Sequence, residues 1–186
     1  TRAELLGQIM RNYDTPVAIS GTHGKTTTTS MVSHILLAGD CDPTISVGGI
    51  LPAIGGNIRV GNSETFVTEA CEYTNSFLSF FPKISVILNI DADHLDFCKD
   101  IDDIRHSFRR FAELLPADGT LIINADTPKY EDIIRNLPCN VITYGLEHDA
   151  DYQAADITYD KYGHASFTVL HRGQALGVCS LSVPGV

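Results

Sequence analysis

The stretch PVAISGTHGKTTTTSM, residues 16–31, decides the fold of this chain. An apolar run ends at Ser20, two glycines follow, and Lys25 precedes four consecutive threonines. Threonine is only a middling helix former, so helix propensity does not explain four of them in succession. A strand, a glycine loop and then a helix is the order in which backbone amides and a lysine hold nucleotide phosphates. The stretch therefore predicts a phosphate-binding loop.

Each residue type in this loop has a physical task. Gly21 and Gly24 let the backbone approach the phosphates closely, and Lys25 is expected to place its charge between the β- and γ-phosphates. The hydroxyl of Thr26 is expected to reach a Mg²⁺ ion, and that of Thr27 an α- or β-phosphate. The need for hydroxyl groups thus accounts for part of the threonine run.

Composition excludes several classes of protein. The chain has 186 residues, of which 44% are hydrophobic and 19% charged, as expected for one globular domain. The formal net charge of −10 argues against a nucleic-acid binder. The sequence has neither a membrane-spanning apolar run nor a signal segment, which predicts a cytoplasmic protein without membrane insertion. The five widely spaced cysteines predict free buried thiols rather than a zinc site or disulfides.

Hydrophobic periodicity predicts strands that alternate with helices. Helices are predicted at residues 3–11, 25–39, 100–115 and 129–137, and strands at 16–20, 65–70, 83–90, 120–124 and 140–144. This alternation predicts an α/β fold with a mostly parallel sheet flanked by helices. Residues 146–183 predict a small antiparallel β addition at the C-terminal end, with a hairpin turn near Arg172 and Gly173. We also expect the chain to be one domain of a longer protein.

Acidic, amide and imidazole side chains follow two of the predicted strands. Glu69 ends the strand at residues 65–70 and precedes Glu72, while Asn89 and His94 lie at the end of the next strand. Ligands of open α/β sheets bind at the carboxyl ends of the strands, so these side chains are expected beside the phosphate loop. For any single residue, the alternative is an ordinary solvated loop side chain.

Three segments together resemble the ATP-binding central domain of the Mur ligases: GTHGKTTTT at 21–29, EACEYTNSF at 69–77 and NIDADHLDF at 89–97. The family's phosphate loop has the same shortened form, which accounts for Ile19 where the common pattern GxxxxGK[ST] has its first glycine. The resemblance covers essentially the whole chain. It implies an ATP-dependent carboxylate–amine ligase of peptidoglycan precursor synthesis. Histidine at position 23 resembles the branch that joins L-alanine to UDP-N-acetylmuramate, and also the branch that recycles murein tripeptide.

The resemblance also implies roles for individual residues. In this family ATP phosphorylates the substrate carboxylate, and an amine then displaces phosphate from the acyl phosphate. Lys25 would stabilise the γ-phosphate, Thr26 and Glu69 would hold one Mg²⁺ ion, and a second ion would be held by His94, where Mn²⁺ can substitute. The implied ATP-binding residues are Gly21, Thr22, His23, Gly24, Lys25, Thr26 and Thr27, and the substrate-binding candidates are His23, Glu72, Ser76 and Asn89.

The sequence departs from the family pattern at two points. Cys71 stands where the family more often has an aspartate, and we assign this neutral side chain no ligand role. No lysine lies between Lys99 and Lys129, so the carbamylated lysine of some members is absent. The resemblance further implies that a UDP-binding N-terminal domain and a C-terminal ligase domain belong to the same polypeptide but not to this chain. The isolated chain is therefore expected to be inactive.

Two other functions stay open at this point. The first is the recycling ligase of the same family, whose substrate is a peptide rather than alanine; NIDADHLDF followed by KDIDDIRHSF favours the alanine branch. The second is a P-loop switch or motor, in which nucleotide hydrolysis acts as a timer. That function explains GTHGKT but leaves EACEYTNSF and NIDADH as coincidences.

Overall fold

The computed structural model describes residues 1–92 and 99–184. The strands are β1 (Thr15–Ser20), β2 (Thr44–Leu51), β3 (Gly56–Arg59), β4 (Thr65–Glu69), β5 (Ile84–Ile87), β6 (Thr120–Asn124), β7 (Asn140–Gly145), β8 (Tyr152–Tyr159), β9 (His164–His171) and β10 (Gln174–Pro184). The helices are α1 (Arg2–Met10), α2 (Lys25–Ala38), α3 (Ile101–Ala112) and α4 (Tyr130–Ile134), with 3₁₀ turns at Pro52–Ile54 and Tyr73–Ser79.

All these strands form one sheet in the order β10-β9-β8-β7-β6-β5-β1-β4-β2-β3. The seven strands from β8 through β2 in that order run parallel to one another, whereas β3, β9 and β10 pair antiparallel. The prediction of a mostly parallel α/β sheet with an antiparallel C-terminal addition is confirmed. The addition continues the main sheet, because β8 pairs in parallel with β7 before the β9–β10 hairpin begins.

The phosphate-loop strand lies at the centre of the sheet, between β4 and β5. Ile19 is paired in register with Glu69 on one side and with Val86 on the other. Its side chain is fully buried, as expected for a parallel strand covered on both faces. This register brings the carboxyl ends of β1, β4 and β5 to the same edge of the sheet.

Helix α3 covers one face of the sheet with an aromatic stripe. Its N-cap is Asp100, whose carboxylate accepts hydrogen bonds from two backbone amides of the first turn, at 3.1 and 2.9 Å. Phe108 and Phe111 are fully buried, and Phe111 stacks on Phe77 with ring centroids 4.6 Å apart. The apolar side of the helix predicted at residues 100–115 thus packs into the core.

The segment between α2 and β4 contains two strands that sequence periodicity did not predict. Strand β2 includes Gly48 and Gly49, and glycine is depleted in strands because it has no side chain to pack. The strand is nevertheless placed beside β4, where Ser46 pairs with Thr68. This pairing carries both glycines towards the edge of the sheet where the phosphate loop lies.

An ion pair connects β3 to the loop before β2. The carboxylate of Asp42 accepts hydrogen bonds from the guanidinium of Arg59 and from the backbone and side-chain amides of Asn62. These bonds, with that from Arg59 the strongest, lower the pKa of Asp42 to about 2. The pair fastens the edge strand to the body of the sheet.

Two absences can be stated for the described part of the chain. None of its helices is long and apolar enough to cross a membrane. Its four cysteines, at positions 41, 71, 139 and 179, are free thiols as predicted, but Cys41 and Cys71 are exposed, so the prediction that the thiols are buried is wrong for these two.

Candidate functional site

The loop between β1 and α2 adopts a conformation that requires glycine at two positions. Gly21 has φ +148° and Gly24 has φ +81°, and both values lie outside the range that side chains normally permit. A Cβ atom at Gly21 would also lie 2.9 Å from Cβ of Leu88. The two glycines thus shape the loop and set the N-cap of α2, which begins at Lys25.

Asn89 fastens this loop to the end of β5. Its side-chain oxygen accepts a hydrogen bond from the amide of His23 at 2.8 Å, and its Nδ2 donates to the carbonyl of the same residue at 3.1 Å. The amide of Thr22 donates to the carbonyl of Asn89 at 3.2 Å. The hydroxyl of Thr22 accepts from the amide of Asp91 at 2.9 Å. The protein itself therefore holds the loop in shape, which lowers the cost of ordering it around phosphates.

The ammonium group of Lys25 lies inside the loop and is paired with Glu72. Its Nζ donates to the carbonyls of Gly21 at 2.6 Å and Thr22 at 3.0 Å, and it lies 2.9 Å from Oε2 of Glu72. The two charged side chains are only 17% and 8% exposed. A charge this buried needs a partner, and Glu72 supplies it. The sequence predicted that Glu72 lies near the loop but not that it pairs with the lysine.

Thr26 and Glu69 place two oxygen donors side by side, and we call them the Thr26–Glu69 pair. The hydroxyl of Thr26 donates to Oε2 of Glu69 at 3.1 Å, while Oε1 of Glu69 accepts from the amide of Gly48 at 2.5 Å. Mg²⁺ is usually held by one or two protein oxygens together with phosphate oxygens and water. The donor set of the pair therefore fits this ion.

The remaining predicted site residues are placed as follows. Thr27 is exposed on the first turn of α2. Ser76 lies in the Tyr73–Ser79 turn, where its hydroxyl donates to the carbonyls of Cys71 at 2.9 Å and Tyr73 at 3.1 Å. His94 is outside the described residues. Within residues 1–92 and 99–184, no cluster of three or more acidic, histidine or cysteine side chains could hold a metal ion.

A cavity of about 530 Å³ reaches Glu69 of the Thr26–Glu69 pair. Its wall includes Glu69, Cys71, Asn75 and Ser76, and the N-terminal turn of α1 closes the opposite side. Asn75 and its neighbour Thr74 have φ values of +57° and +55°, an uncommon conformation for residues other than glycine. The cavity gives a second molecule access to the same carboxylate that faces Thr26.

Thr29, the last threonine of the run, faces the protein interior. Thr29 is fully buried, and its hydroxyl has no hydrogen-bond partner in the described part of the chain. Its carbonyl accepts a hydrogen bond from Ser33, one turn further along α2, at 2.7 Å. Thr26 and Thr27 are exposed at the helix start. The threonine run is therefore divided by helical geometry between the site and the core.

Gly48 is the residue of this site that sequence reasoning missed. Its amide contacts Glu69 across the neighbouring strand, and Gly49 lies against Thr26. The available signal was the glycine pair directly after TISV at residues 44–47, in which polar and apolar residues alternate.

The parallel sheet and glycine loop have the form of a P-loop α/β domain, and comparison with known proteins gives the family. The family model described as Mur ligase middle domain matches residues 19–186. The chain therefore belongs to the Mur ligase family.

Curated relatives that match this chain are ligases longer than it. The UDP-N-acetylmuramate–L-alanine ligase of Agathobacter rectalis is 60% identical over 185 residues, which cover 100% of this chain and 40% of that protein. The chain thus spans about 40% of the length of the curated relatives it matches.

Solved structures agree with this assignment. The UDP-N-acetylmuramate:L-alanyl-γ-D-glutamyl-meso-diaminopimelate ligase from Neisseria meningitides has a TM-score of 0.86 and 26% identity, covering 98% of this chain and 60% of that chain. The UDP-N-acetylmuramate-alanine ligase from Thermotoga maritima has a TM-score of 0.80 and 26% identity, covering 96% of this chain and 39% of that chain.

Proposed function

We propose that the full-length protein containing this chain joins L-alanine to UDP-N-acetylmuramate at the expense of ATP. This chain would supply the ATP-binding domain, and other domains of the same polypeptide would bind UDP and complete the ligase. The observation that carries the proposal is the arrangement of Lys25 and the Thr26–Glu69 pair at the end of parallel strands, beside a cavity. The 60% identity to a ligase of that name supports the choice of substrates.

The reaction needs ATP because a carboxylate is a poor electrophile at neutral pH. Phosphorylation of the muramoyl carboxylate makes an acyl phosphate, and the amino group of alanine then attacks the acyl carbon and releases phosphate. Phosphoryl transfer requires mainly positioning and charge neutralisation. In our proposal the phosphates bind between the loop amides and Lys25, which then exchanges its contact with Glu72 for phosphate oxygens. Glu72 stays close enough to keep the ammonium aligned.

The Thr26–Glu69 pair would hold Mg²⁺ beside the phosphates. The ion would supply positive charge for the phosphate oxygens. Glu69 borders both the loop and the cavity, so it stands where the nucleotide and the substrate carboxylate would meet. A second ion held by His94, with Mn²⁺ as an acceptable substitute, is also part of the proposal and follows from the family resemblance alone.

The substrate-binding candidates divide by the bonds that their side chains already make. The side chains of Asn89 and Ser76 are bonded to backbone groups, so they shape the loop and the cavity wall. His23 is exposed at the loop, so its imidazole ring would be available to the nucleotide or the substrate. We propose a cytoplasmic enzyme that acts on small molecules, with neither nucleic acid nor membrane as its partner.

The 60% identity to an L-alanine ligase favours that substrate over the tripeptide of the recycling ligase, and an experiment can check the choice. The alanine ligase and the recycling ligase differ in the amine substrate. An assay that offers the two amines in competition therefore separates them. The full-length protein should be given ATP, UDP-N-acetylmuramate and equal amounts of L-alanine and the tripeptide, and the products measured by mass spectrometry. We expect the L-alanine product, and preference for the tripeptide would select the recycling ligase.

Two lysine variants test whether this site carries the activity. Lys25→Ala should abolish product formation, whereas Lys83→Ala should not. Lys83 is a matched control. It pairs with Asp118 and directly precedes β5, so it lies at the end of the parallel strands opposite to the phosphate loop. ATP hydrolysis by the unaltered protein that does not respond to UDP-N-acetylmuramate would instead favour a P-loop switch.

A further inference from the structure

Gly48 bounds the Thr26–Glu69 pair from the side of β2. Its amide donates to Oε1 of Glu69 at 2.5 Å, while Oε2 of the same carboxylate accepts from Thr26 at 3.1 Å. The two carboxylate oxygens thus have different partners, one of which is a backbone group that cannot rotate away. A backbone donor of this kind fixes a carboxylate more firmly than a flexible side chain could.

A side chain at position 48 would occupy the space of the carboxylate. A Cβ atom there would lie 2.7 Å from Oε2, 3.0 Å from Oε1 and 3.1 Å from Cδ of Glu69. The backbone of Gly48 does not have positive φ, in contrast to Gly21 and Gly24. Close approach, and not backbone conformation, is therefore the reason for glycine at this position.

The atoms that this Cβ would meet belong to the end of a flexible side chain. At Gly61, by contrast, a Cβ would lie 2.0 Å from the backbone carbonyl of Asp42, which cannot move without a shift of the chain. A small side chain at position 48 should therefore leave the fold intact and displace the carboxylate of Glu69. This separation of folding from site geometry makes the position informative.

We propose that Gly48 is a positioning residue for Glu69. Its amide directs one carboxylate oxygen towards β2, and its missing side chain leaves the other oxygen directed at the hydroxyl of Thr26. Gly49 supports the same arrangement, since a Cβ there would lie 3.3 Å from Cγ2 of Thr26. This inference rests on the proposed function, because it assigns Gly48 a task at the Mg²⁺ site that the function requires.

The test compares Gly48→Ala with Gly56→Ala in the full-length protein. Gly56 lies in the paired strand β3, and a Cβ there meets nothing within 4 Å, so it is a matched control. The affinity for ADP carrying a fluorescent N-methylanthraniloyl label is measured with and without Mg²⁺. We expect Gly48→Ala to reduce the Mg²⁺-dependent gain in affinity by about tenfold, as for other groups that orient metal ligands. The affinity without Mg²⁺, and both values for Gly56→Ala, should be unchanged.

A double-mutant cycle shows whether Gly48 acts through Glu69. In a Glu69→Ala background the additional Gly48→Ala change should cause no further loss of Mg²⁺-dependent affinity, because the carboxylate it displaces is gone. Additive losses would overturn the inference. If Gly48→Ala lowers the melting temperature, the added Glu69→Ala change should restore that temperature. A lowered melting temperature that persists in the double variant would place the clash in the backbone and would also overturn the inference.

The same measurements keep this inference separate from the proposed function. If the unaltered protein gains no affinity for the labelled ADP with Mg²⁺, the proposed metal site itself is wrong, and the inference falls with it. If the gain is present and lost in Glu69→Ala but kept in Gly48→Ala, only the role of Gly48 is wrong.

Discussion

Replacing Thr26 and Thr29 by valine, one at a time, makes the same chemical change at two positions on one helix with opposite expected results. Each change replaces a hydroxyl by a methyl group and keeps the branch at Cβ, so helix propensity changes little. At position 26 the hydroxyl donates to Glu69 and is exposed. At position 29 it is buried without a hydrogen-bond partner in the described residues.

The magnitudes follow from these surroundings. A buried hydroxyl without a partner costs about 1–3 kcal/mol, so Thr29→Val should stabilise the domain by about 1 kcal/mol. For a domain of this size that corresponds to a rise of about 2–4 °C in melting temperature. Thr26→Val should change stability by less than about 0.5 kcal/mol, because the site is exposed. It should weaken Mg²⁺-dependent activity by at least about tenfold, because Thr26 is one of the Mg²⁺ ligands in the proposed function.

Calorimetry of the full-length protein and a Mg²⁺ titration of ligase turnover measure both effects. We expect Thr29→Val to raise the melting temperature with unaltered Mg²⁺ dependence. We expect Thr26→Val to weaken Mg²⁺-dependent turnover with a nearly unaltered melting temperature. Equal losses of turnover in the two variants would refute the division of the threonine run. So would a Thr26→Val variant whose Mg²⁺ dependence matches the unaltered protein.

Two further predictions concern the loop and the edge of the sheet. Asn89→Ala removes both bonds to the backbone of His23, so the affinity for labelled ADP should fall by about tenfold with and without Mg²⁺; a loss seen only with Mg²⁺ would contradict the role of a loop clamp. Because the folded-state pKa of Asp42 is about 2, below its unfolded value, its contribution to stability is present above about pH 4 and is lost as the pH falls towards 2. Between about pH 4 and 2 the melting temperature should fall less steeply in Asp42→Asn than in the unaltered protein. Arg59→Gln should move the loss of the Asp42 contribution to higher pH.

Local sequence patterns predicted the elements whose signals are contained in a short window. The phosphate-loop strand, its glycines and α2 follow one another within 25 residues, and the structure forms each of them at β1, Gly21, Gly24 and Lys25–Ala38. The hairpin predicted at Arg172 and Gly173 is also formed. Both residues adopt the positive φ values that such turns require. Strand β2 was missed because Gly48 and Gly49 interrupt its apolar pattern, and its stability comes from pairing with β4.

The site could be predicted as a neighbourhood but not as a set of bonds. Parallel strands end at one edge, so Glu69, Glu72 and Asn89 were expected near the loop, and the structure brings all three there. Which of them contacts Lys25 depends on the register of β4 against β1. Ile19 pairs with Glu69, which places this carboxylate at Thr26 and leaves Glu72, three residues later, at the lysine. Sequence spacing alone does not contain that register.

Groups from neighbouring parts of the sheet, rather than the loop's own side chains, hold most of this site in place. The amide of Gly48 fixes Glu69, and the side chain of Asn89 is bonded to both backbone groups of His23. A loop on its own would have to be ordered by the phosphates, at a cost to affinity. Here the loop is already ordered by the sheet when the domain folds. Changes at β2 or at the end of β5 should therefore alter nucleotide binding even where the changed residue does not touch the nucleotide. The variants of Gly48 and Asn89 test this at two separate strands: the first should affect only the Mg²⁺-dependent part of binding, and the second should affect the whole.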